Sequence, residues 1–509
     1  MSTFHGLEMA KQALFTQQSA LYTTGHNISN ANTEGYSRQR VNFEALPGYP
    51  SPSRNSPKMA GQLGSGVTAG HVERIRDKFL DSQYRTQNSR AEYWATNANA
   101  LSRMESLLNE MDESGGLSEV LDDFWSSLSD LAGNPQNEGT RKVVANNGLA
   151  VAETFQYLSG SLQSIRKDLK SQIGSEDGTS GKLGDANSLL RQIDSLNKEI
   201  SEIEPQGHLA NDLYDKRDRL IDELSGIVNI QVSYEKSSPT SLDIADGIAK
   251  IELVDKEGSP LDVVLLSKDQ GPKEFTVTYD SENENAVGSI QYGDEEINIH
   301  DVDGSLKALV ENYGFVNEDG QSEGSYIDML QDLDKMATAF AEEFNKVHKE
   351  GYDLTGSETT SETDFFIIGD DGAASITVNK DILKNPDLIA VSANGETGNG
   401  DNAKKLQDVI DKALPSDALG KDTSVKEFFE GLIGELAVNT KEAIRQTENT
   451  DIQRARVEND RYSVSAVSLD EEVTNLLRFQ HAYNAAARSM TATDELLDKV
   501  INSMGIVGR

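Results

Sequence analysis

The C-terminal part of the chain constrains the fold most, because apolar residues recur there at every seventh position from Leu469 to Met504. A seven-residue apolar repeat is typical of a helix that packs lengthwise against other helices. Ser468 and Glu471 have the spacing of a capping box, which predicts that the helix begins there. Gly505 suits the left-handed position that follows a helix end. The repeat consists of Leu469, Leu476, Tyr483, Met490, Leu497 and Met504.

The N-terminus carries a matching repeat, which predicts an amphipathic helix of about 25 residues. Its members are Leu7, Leu14, Leu21 and Ile28. The asparagine-rich segment 27–32 ends this helix, because Asn and Ser side chains favour caps and turns over helix interiors. Residues 33–35 are then expected to form a turn.

Two interpretations of these repeats are open: helices buried in the protein's own core, or helices that pack between molecules. Burying the side chains of the C-terminal repeat contributes on the order of 10–15 kcal/mol. Ordering each backbone position costs ~1–2 kcal/mol, so the C-terminal helix needs extensive partners. Further apolar residues beside the repeat widen its face, and the shorter N-terminal helix cannot cover both flanks. We therefore favour packing between molecules, with both ends gaining order on assembly.

The rest of the chain predicts a mainly α fold with a small β domain. Apolar residues are spaced as in helices before residue 227 and after residue 322, whereas alternating patterns between them indicate strands. We expect a nested multidomain arrangement, in which long terminal coiled-coil helices pair side by side around a helical bundle body and an inserted β domain. The predicted domains are a terminal helical assembly domain with an adjoining β segment (1–78 with 461–509), a helical body (79–226 with 323–460) and an acidic β domain (227–322).

Composition narrows the possible functions. The chain has 509 residues, no cysteine and a formal net charge of -38. Such a charge opposes nucleic-acid binding, which depends on Lys and Arg side chains that neutralise phosphates. The absence of cysteine excludes disulfides and thiolate metal sites. Residues 1–22 lack the apolar core of a secretory signal, so we expect no cleaved signal peptide.

Candidate chemical motifs are weak. Ser322 lies in a G-x-S-x-G pattern at residues 320–324, but an acidic loop precedes it instead of the buried strand that a nucleophile elbow needs. The histidines are scattered and do not form metal-ligand spacings. We therefore expect no catalytic residue, no cofactor and no metal site.

Residues 21–39 resemble the signature of the bacterial flagellar axial proteins, which build the rod, the hook and the hook–filament junction. Within that group, the segment Gly35-Tyr-Ser-Arg-Gln39 is similar to the hook-associated junction proteins. The C-terminal segment 468–480 agrees with this resemblance. The signature turn that carries it consists of Asn27, Asn30, Asn32, Gly35, Tyr36 and Arg38.

The resemblance implies an extracellular structural protein that joins hook to filament and allows filament assembly, without enzymatic activity. It implies export through the flagellar type III pathway. The implied partners are the hook protein, a second hook-associated junction protein, further copies of the chain in a ring, and an export chaperone that holds the C-terminal region. Together with the repeats, it implies an assembly interface made of Leu7, Leu14, Leu21, Ile28, Leu469, Leu476, Tyr483, Met490 and Leu497.

One departure from the family and three rival functions remain. Larger family members carry an additional outer domain after the position of Phe366, whereas here only residues 367–375 separate Phe366 from Ile376. We expect this outer domain to be missing or reduced. The rivals are a hook or distal-rod protein, a secreted adhesin or effector that uses the same export route, and a hydrolase that uses Ser322.

Overall fold

The structure is a computed structural model that describes residues 3–49, 64–110, 116–281, 283–354, 361–411, 419 and 423–503. Within these residues the α-helices are α1 (Thr3–Ser29), α2 (Lys78–Glu110), α3 (Leu117–Gly133), α4 (Glu138–Ile173), α5 (Gly181–Ile203), α6 (Asn211–Ile227), α7 (Ser305–Tyr313), α8 (Ser325–Lys349), α9 (Lys380–Lys384), α10 (Asp401–Asp411), α11 (Val425–Ser465) and α12 (Leu469–Asp498). The strands of the same residues are β1 (Gln39–Ala45), β2 (Val67–Arg74), β3 (Ile230–Glu235), β4 (Ile248–Val254), β5 (Pro260–Leu266), β6 (Phe275–Asp280), β7 (Ala286–Tyr292), β8 (Glu295–Ile297), β9 (Phe315–Val316), β10 (Ser322–Glu323), β11 (Phe366–Ile367) and β12 (Thr377–Val378).

The predicted mainly α, nested fold is confirmed. By residue contacts the chain divides into unit 1 (Met1–Asn88, Ser188–Pro272 and Ile452–Arg509) and unit 2 (Ser89–Asn187 and Lys273–Asp451). Each unit is therefore built from segments that are distant in the sequence. The three-part domain division stays a prediction, and the strands of its β domain are shared between the two units: β3–β5 in unit 1, β6–β10 in unit 2.

Unit 1 contains the paired terminal helices, a hairpin and a small sheet. Strands β1 and β2 are antiparallel, with Gln39 opposite Arg74 and Ala45 opposite Val67. Strands β3, β4 and β5 form an antiparallel sheet. The helix predicted from Ser468 begins at Leu469, and a π-helical segment, Lys499–Ser503, follows α12. Met504 and Gly505 lie outside the described residues.

A buried ionic cluster links several elements of unit 1. Arg74 of β2 donates to Asp218 of α6 at 3.0 Å, and Arg85 of α2 donates to Asp222 of α6 at 2.9 Å. Arg461 of α11 reaches the other oxygen of Asp222 at 2.6 Å. Burial alone raises the pKa of Asp218, but the surrounding guanidinium groups outweigh it and hold that pKa well below its usual range. Because an unpaired buried charge is costly, these pairs fix how the elements of unit 1 pack.

Unit 2 is organised around a cluster of phenylalanine rings. Phe344 of α8 lies 5.0 Å from Phe365, which lies 4.8 Å from Phe366, measured between ring centres. Gly148 of α4 gives these rings room, because a Cβ there would come within 2.7 Å of the Phe365 ring. Such aromatic contacts add ~0.5–1.5 kcal/mol each to the gain from burial.

The sheet of unit 2 has the strand order β10-β9-β7-β6, and β8 pairs with β7. Ser322 lies in the two-residue strand β10, opposite Val316, and is partly buried. Gly324 separates this strand from α8. The G-x-S-x-G segment is thus a short hairpin before a helix. Among the described residues, no helix is long and apolar enough to cross a membrane.

His348 ties two loop segments of unit 2 to the end of α8. Its Nε2 accepts a hydrogen bond from Ala390 N at 3.0 Å, and its Nδ1 lies 2.9 Å from Thr363 O. Because Nε2 is an acceptor, the ring is neutral and Nδ1 carries the proton. Burial lowers the pKa of His348 to about 4.

We expect unit 2 to lose stability as the pH falls from about 6.5 to 4. In this range His348 takes up a proton in the unfolded chain but not in the folded chain. The free energy of unfolding therefore falls by about 1.4 kcal/mol for each pH unit. His348→Gln keeps one donor and one acceptor but does not titrate. The difference between wild type and variant, measured by chemical unfolding, should therefore change across this range. A difference that is constant with pH would contradict this role of His348.

Candidate assembly surface on the terminal helices

Helices α1 and α12 run antiparallel within unit 1. A Cβ added to Gly6 would lie 3.6 Å from the methyl carbon of Thr493, while Asn27 donates to Glu472 at 3.1 Å. The interval from Gly6 to Asn27 equals that from Glu472 to Thr493, so the helices keep one register along this length. The sequence-predicted side-by-side pairing of the two ends is therefore present within one chain.

Asn27 of the signature turn is buried and holds the end of α1 to three other segments. Its Nδ2 donates to Gln39 O at 2.8 Å and to Glu472 Oε2 at 3.1 Å. Its Oδ1 accepts from Gln39 N at 3.0 Å and from Tyr36 Oη at 2.8 Å. Only an amide offers both donors and an acceptor in this arrangement. Asn27 therefore fixes the path of the chain from α1 into β1.

Glu472 is the partner that joins the signature turn to α12. Arg38 Nε donates to Glu472 Oε1 at 2.8 Å, and Arg38 Nη1 donates to Glu471 Oε2 at 2.7 Å. The side chain of Glu472 is 3% exposed, whereas that of Glu471 is 62% exposed. The Arg38 backbone also donates to Ser465 O at 2.9 Å, so the turn contacts the end of α11 as well.

The remaining signature residues shape the turn itself. Asn30 donates to His26 O at 3.0 Å, and Asn32 is exposed. Gly35 has a φ of 76°, a left-handed conformation that favours glycine. Burial, followed by the nearby carboxylates, raises the pKa of Tyr36 well above its usual range, so its hydroxyl stays protonated and donates to Asn27.

The predicted capping box is wrong, although the predicted start of the helix is correct. Ser468 is the N-cap residue, but its side chain makes no capping hydrogen bond. Glu471, which would complete the box, pairs with Arg38 instead. The pair with Arg38 joins two opposite charges, whereas the capping contact would pair the carboxylate with an uncharged backbone N–H.

The predicted interface residues differ in their exposure. Leu497 is buried, Leu469 is about half exposed, and the others are partly buried. The partly buried set consists of Leu7, Leu14, Leu21, Ile28, Leu476, Tyr483 and Met490. Their contact with other molecules stays a prediction.

Two outward-facing apolar surfaces were not singled out by the sequence as separate features. At about 100° per residue, Phe4, Phe15 and Tyr22 lie on one side of α1, opposite the buried Ala20. We call these three aromatic residues the α1 stripe, in which Tyr22 is 71% exposed. The α12 stripe consists of Leu469, Val473 and Leu477, each about half exposed.

Glu472 and Glu471 allow a matched test of the buried contact. We expect Glu472→Ala to destabilise the α1–α12 pair by about 1.5–3 kcal/mol, because Arg38 Nε and one Nδ2 proton of Asn27 lose a buried, charged acceptor. Glu471→Ala removes an exposed partner of the same arginine and should cost ~0–1 kcal/mol. Hydrogen exchange of the α1 amides measures both effects. Equal losses in the two variants would contradict the assigned role of Glu472.

Among the described residues, no group of three or more His, Asp or Glu side chains is placed to hold a metal ion.

Three family models match the chain. The model of the flagellar hook-associated protein FlgK helical domain matches residues 101–366. The flagellar basal body rod FlgEFG protein C-terminal model matches residues 461–504, and the flagella basal body rod protein model matches residues 7–36. The last two matches contain most of α12 and α1, respectively.

Curated relatives and a solved structure agree with these matches. Flagellar hook-associated protein 1 of Bacillus subtilis (strain 168) is 46% identical over 522 residues, which cover 100% of both chains. Flagellar hook-associated protein 1 of Escherichia coli (strain K12) is 24% identical, covering 97% of this chain and 98% of the relative. The flagellar hook junction protein FlgK from Burkholderia pseudomallei has a similar fold, with a TM-score of 0.55 at 11% identity, over 76% of this chain and 100% of that chain.

The full-length relative and the helical-domain match, which covers more than half of the chain, decide the classification. The members of this family are structural proteins of the bacterial flagellum and not enzymes. The chain belongs to the flagellar hook-associated protein 1 family.

Proposed function

We propose that this chain joins the flagellar hook to the filament through the outer faces of its paired terminal helices. The observation that carries the proposal is the pair of stripes on α1 and α12, which leave aromatic and aliphatic side chains exposed beside a well-packed helix pair. Exposed apolar surfaces of this kind mark contacts with other proteins.

The magnitudes favour assembly. Burying one large apolar side chain completely contributes about 1.5–3 kcal/mol. The two stripes, being about half exposed, therefore supply on the order of 5–9 kcal/mol for each subunit that is added. Ion pairs such as Arg38–Glu472 hold the helices in register beforehand, which lowers the entropy lost on association.

A protein that lies between hook and filament must contact its neighbours below, above and beside it. We propose that copies of the chain lie side by side in a ring, with the hook protein below and a second hook-associated junction protein above. The predicted interface residues of the two repeats would supply further contacts as the helices pack into an inner tube. The C-terminal region, which includes α12, would be held by an export chaperone before assembly. The chaperone would then cover the α12 stripe until the subunit reaches the distal end of the hook.

The proposed location is outside the cell, at the distal end of the hook. Export would use the flagellar type III pathway without cleavage of a signal peptide. The strongly negative net charge of -38 fits a protein that is strongly solvated outside its assembly surfaces.

Deleting the gene tests the function directly. We expect cells that make normal hooks but release filament subunits into the medium and do not swim. Electron microscopy of the hooks and immunoblots of the medium measure this outcome. Filaments that remain attached in the absence of the chain would contradict the proposal and favour an adhesin or effector.

Tyr22 provides a test of the surface. We expect Tyr22→Asp to abolish incorporation at hook tips, because a carboxylate would be buried in the contact. The variant should fold normally, because this side chain is largely exposed in the single chain. Tyr22→Phe keeps the ring and should assemble. The thermal transition of each purified variant measures its folding, and its amount in isolated hooks measures its assembly. Normal incorporation of Tyr22→Asp would contradict the role of the α1 stripe as a contact surface.

A further inference from the structure

A groove rich in arginine lies between the C-terminal half of α1, strand β1 and the first turns of α12. We call it the arginine groove. Arg40 of β1 is exposed and pairs with Glu73 at 2.7 Å, while Arg478 of α12 lies with its guanidinium 5.1 Å from the ring centre of Phe479. Phe43 contacts Phe479 edge to face at 5.9 Å. The residues used below are Arg38, Arg40, Phe43, Asn475, Arg478 and Phe479, all of which line the groove.

The groove combines apolar and cationic features in an acidic protein. Its two aromatic rings can receive aliphatic side chains, and the guanidinium of Arg478 beside Phe479 can pair with a carboxylate. Arg38 and Arg40 pair with carboxylates of their own chain, which leaves Arg478 as the groove arginine suited to a carboxylate of another copy, in a chain whose net charge is -38.

The α12 stripe has the complementary chemistry. It offers Leu469, Val473 and Leu477, and the exposed carboxylate of Asp470 lies next to them on the helix surface. An apolar stripe with an acidic residue at its edge matches an aromatic groove with arginines at its rim.

The stripe and the groove lie on different sides of the same helix. At about 100° per residue, the groove-lining Asn475, Arg478 and Phe479 are roughly 180° around α12 from the centre of the stripe. Both surfaces are at the same height along the helix, so the stripe of one molecule cannot enter its own groove. Two complementary but different surfaces on one subunit produce head-to-tail contacts, which close into a ring when the rotation between subunits allows it.

We propose that the arginine groove of one copy receives the α12 stripe of the next copy. This inference rests on the proposed function, because it names the surfaces by which neighbouring subunits of the junction meet. Arg478 pairs with Asp470 of the adjacent copy, and Leu469, Val473 and Leu477 lie against the Phe43–Phe479 pair. Arg38 stays with Glu472 of its own chain and fixes the floor of the groove.

Charge exchange tests this contact in cells. We expect Arg478→Glu and Asp470→Arg each to lower the amount of the chain at hook tips at least about tenfold, because like charges then meet in the contact. The double variant should assemble, and an equal mixture of the two single variants should recover part of the assembly, because each contact between unlike variants regains opposite charges. Lys384→Glu, at an exposed position of α9 in unit 2 and outside both surfaces, should have little effect. Loss of assembly that neither the double variant nor the mixture restores would overturn the contact.

Cross-linking tests the direction of the contact, since the natural chain contains no cysteine. Val473→Cys places a thiol on the stripe and Asn475→Cys places one in the groove. In hooks isolated from cells that make both variants, a short bifunctional thiol reagent should give dimers, and a chain with both substitutions should give longer oligomers. Either single variant alone should give none, and equal cross-linking of a single variant with itself would overturn the head-to-tail arrangement.

The outcomes separate this inference from the proposed function. If the chain is found at hook tips and filaments attach, but neither charge exchange nor cross-linking behaves as expected, only the groove–stripe contact is wrong. If the unsubstituted chain is absent from hook tips, the proposed function fails as well.

Discussion

A single buried carboxylate, that of Glu472, joins the two ends of the chain. It accepts from Arg38 and from Asn27, both in the turn that follows α1, and it projects from the first turns of α12. Burying the carboxylate of Glu472 costs free energy unless Arg38 and Asn27 are hydrogen-bonded to it. A packing of the two helices that breaks these hydrogen bonds is therefore unfavourable. Through it the antiparallel register of α1 and α12 is fixed, and with it the directions in which their outer faces point.

The terminal helix pair therefore has two kinds of surface. The inner face packs within unit 1, against the partner helix and the β1–β2 hairpin. The outer face carries Phe15, Tyr22 and Val473, which no compact monomer needs to expose. Packing inside the chain prepares the helices, and we propose that packing between chains completes their burial. This division of roles fits a family whose members assemble at the end of the hook.

Local patterns predicted much of the fold. Strands β3 to β9 lie within residues 227–322, where alternating apolar and polar residues predicted strands. The repeat at Leu7, Leu14 and Leu21 correctly placed α1, since a helix of this length has a strong periodic signal.

Contacts between distant residues were not predictable in this way. The capping box failed because Arg38, far away in the sequence, competes for Glu471. Glu472 itself was missed, although a carboxylate on an otherwise apolar face signals a buried partner. The ionic cluster around Asp218 was missed for the same reason: its arginines come from β2 and α2, and no local pattern links them to α6.

The central claim is that the outer faces of α1 and α12 become buried when the chain joins the flagellum. Hydrogen–deuterium exchange, compared between the free protein and isolated hooks that carry it, measures this most directly. The account predicts much slower exchange in residues 4–28 and 469–503 after assembly, with little change in the amides of α4 and α8. Equal exchange of the terminal helices in the two states would contradict it.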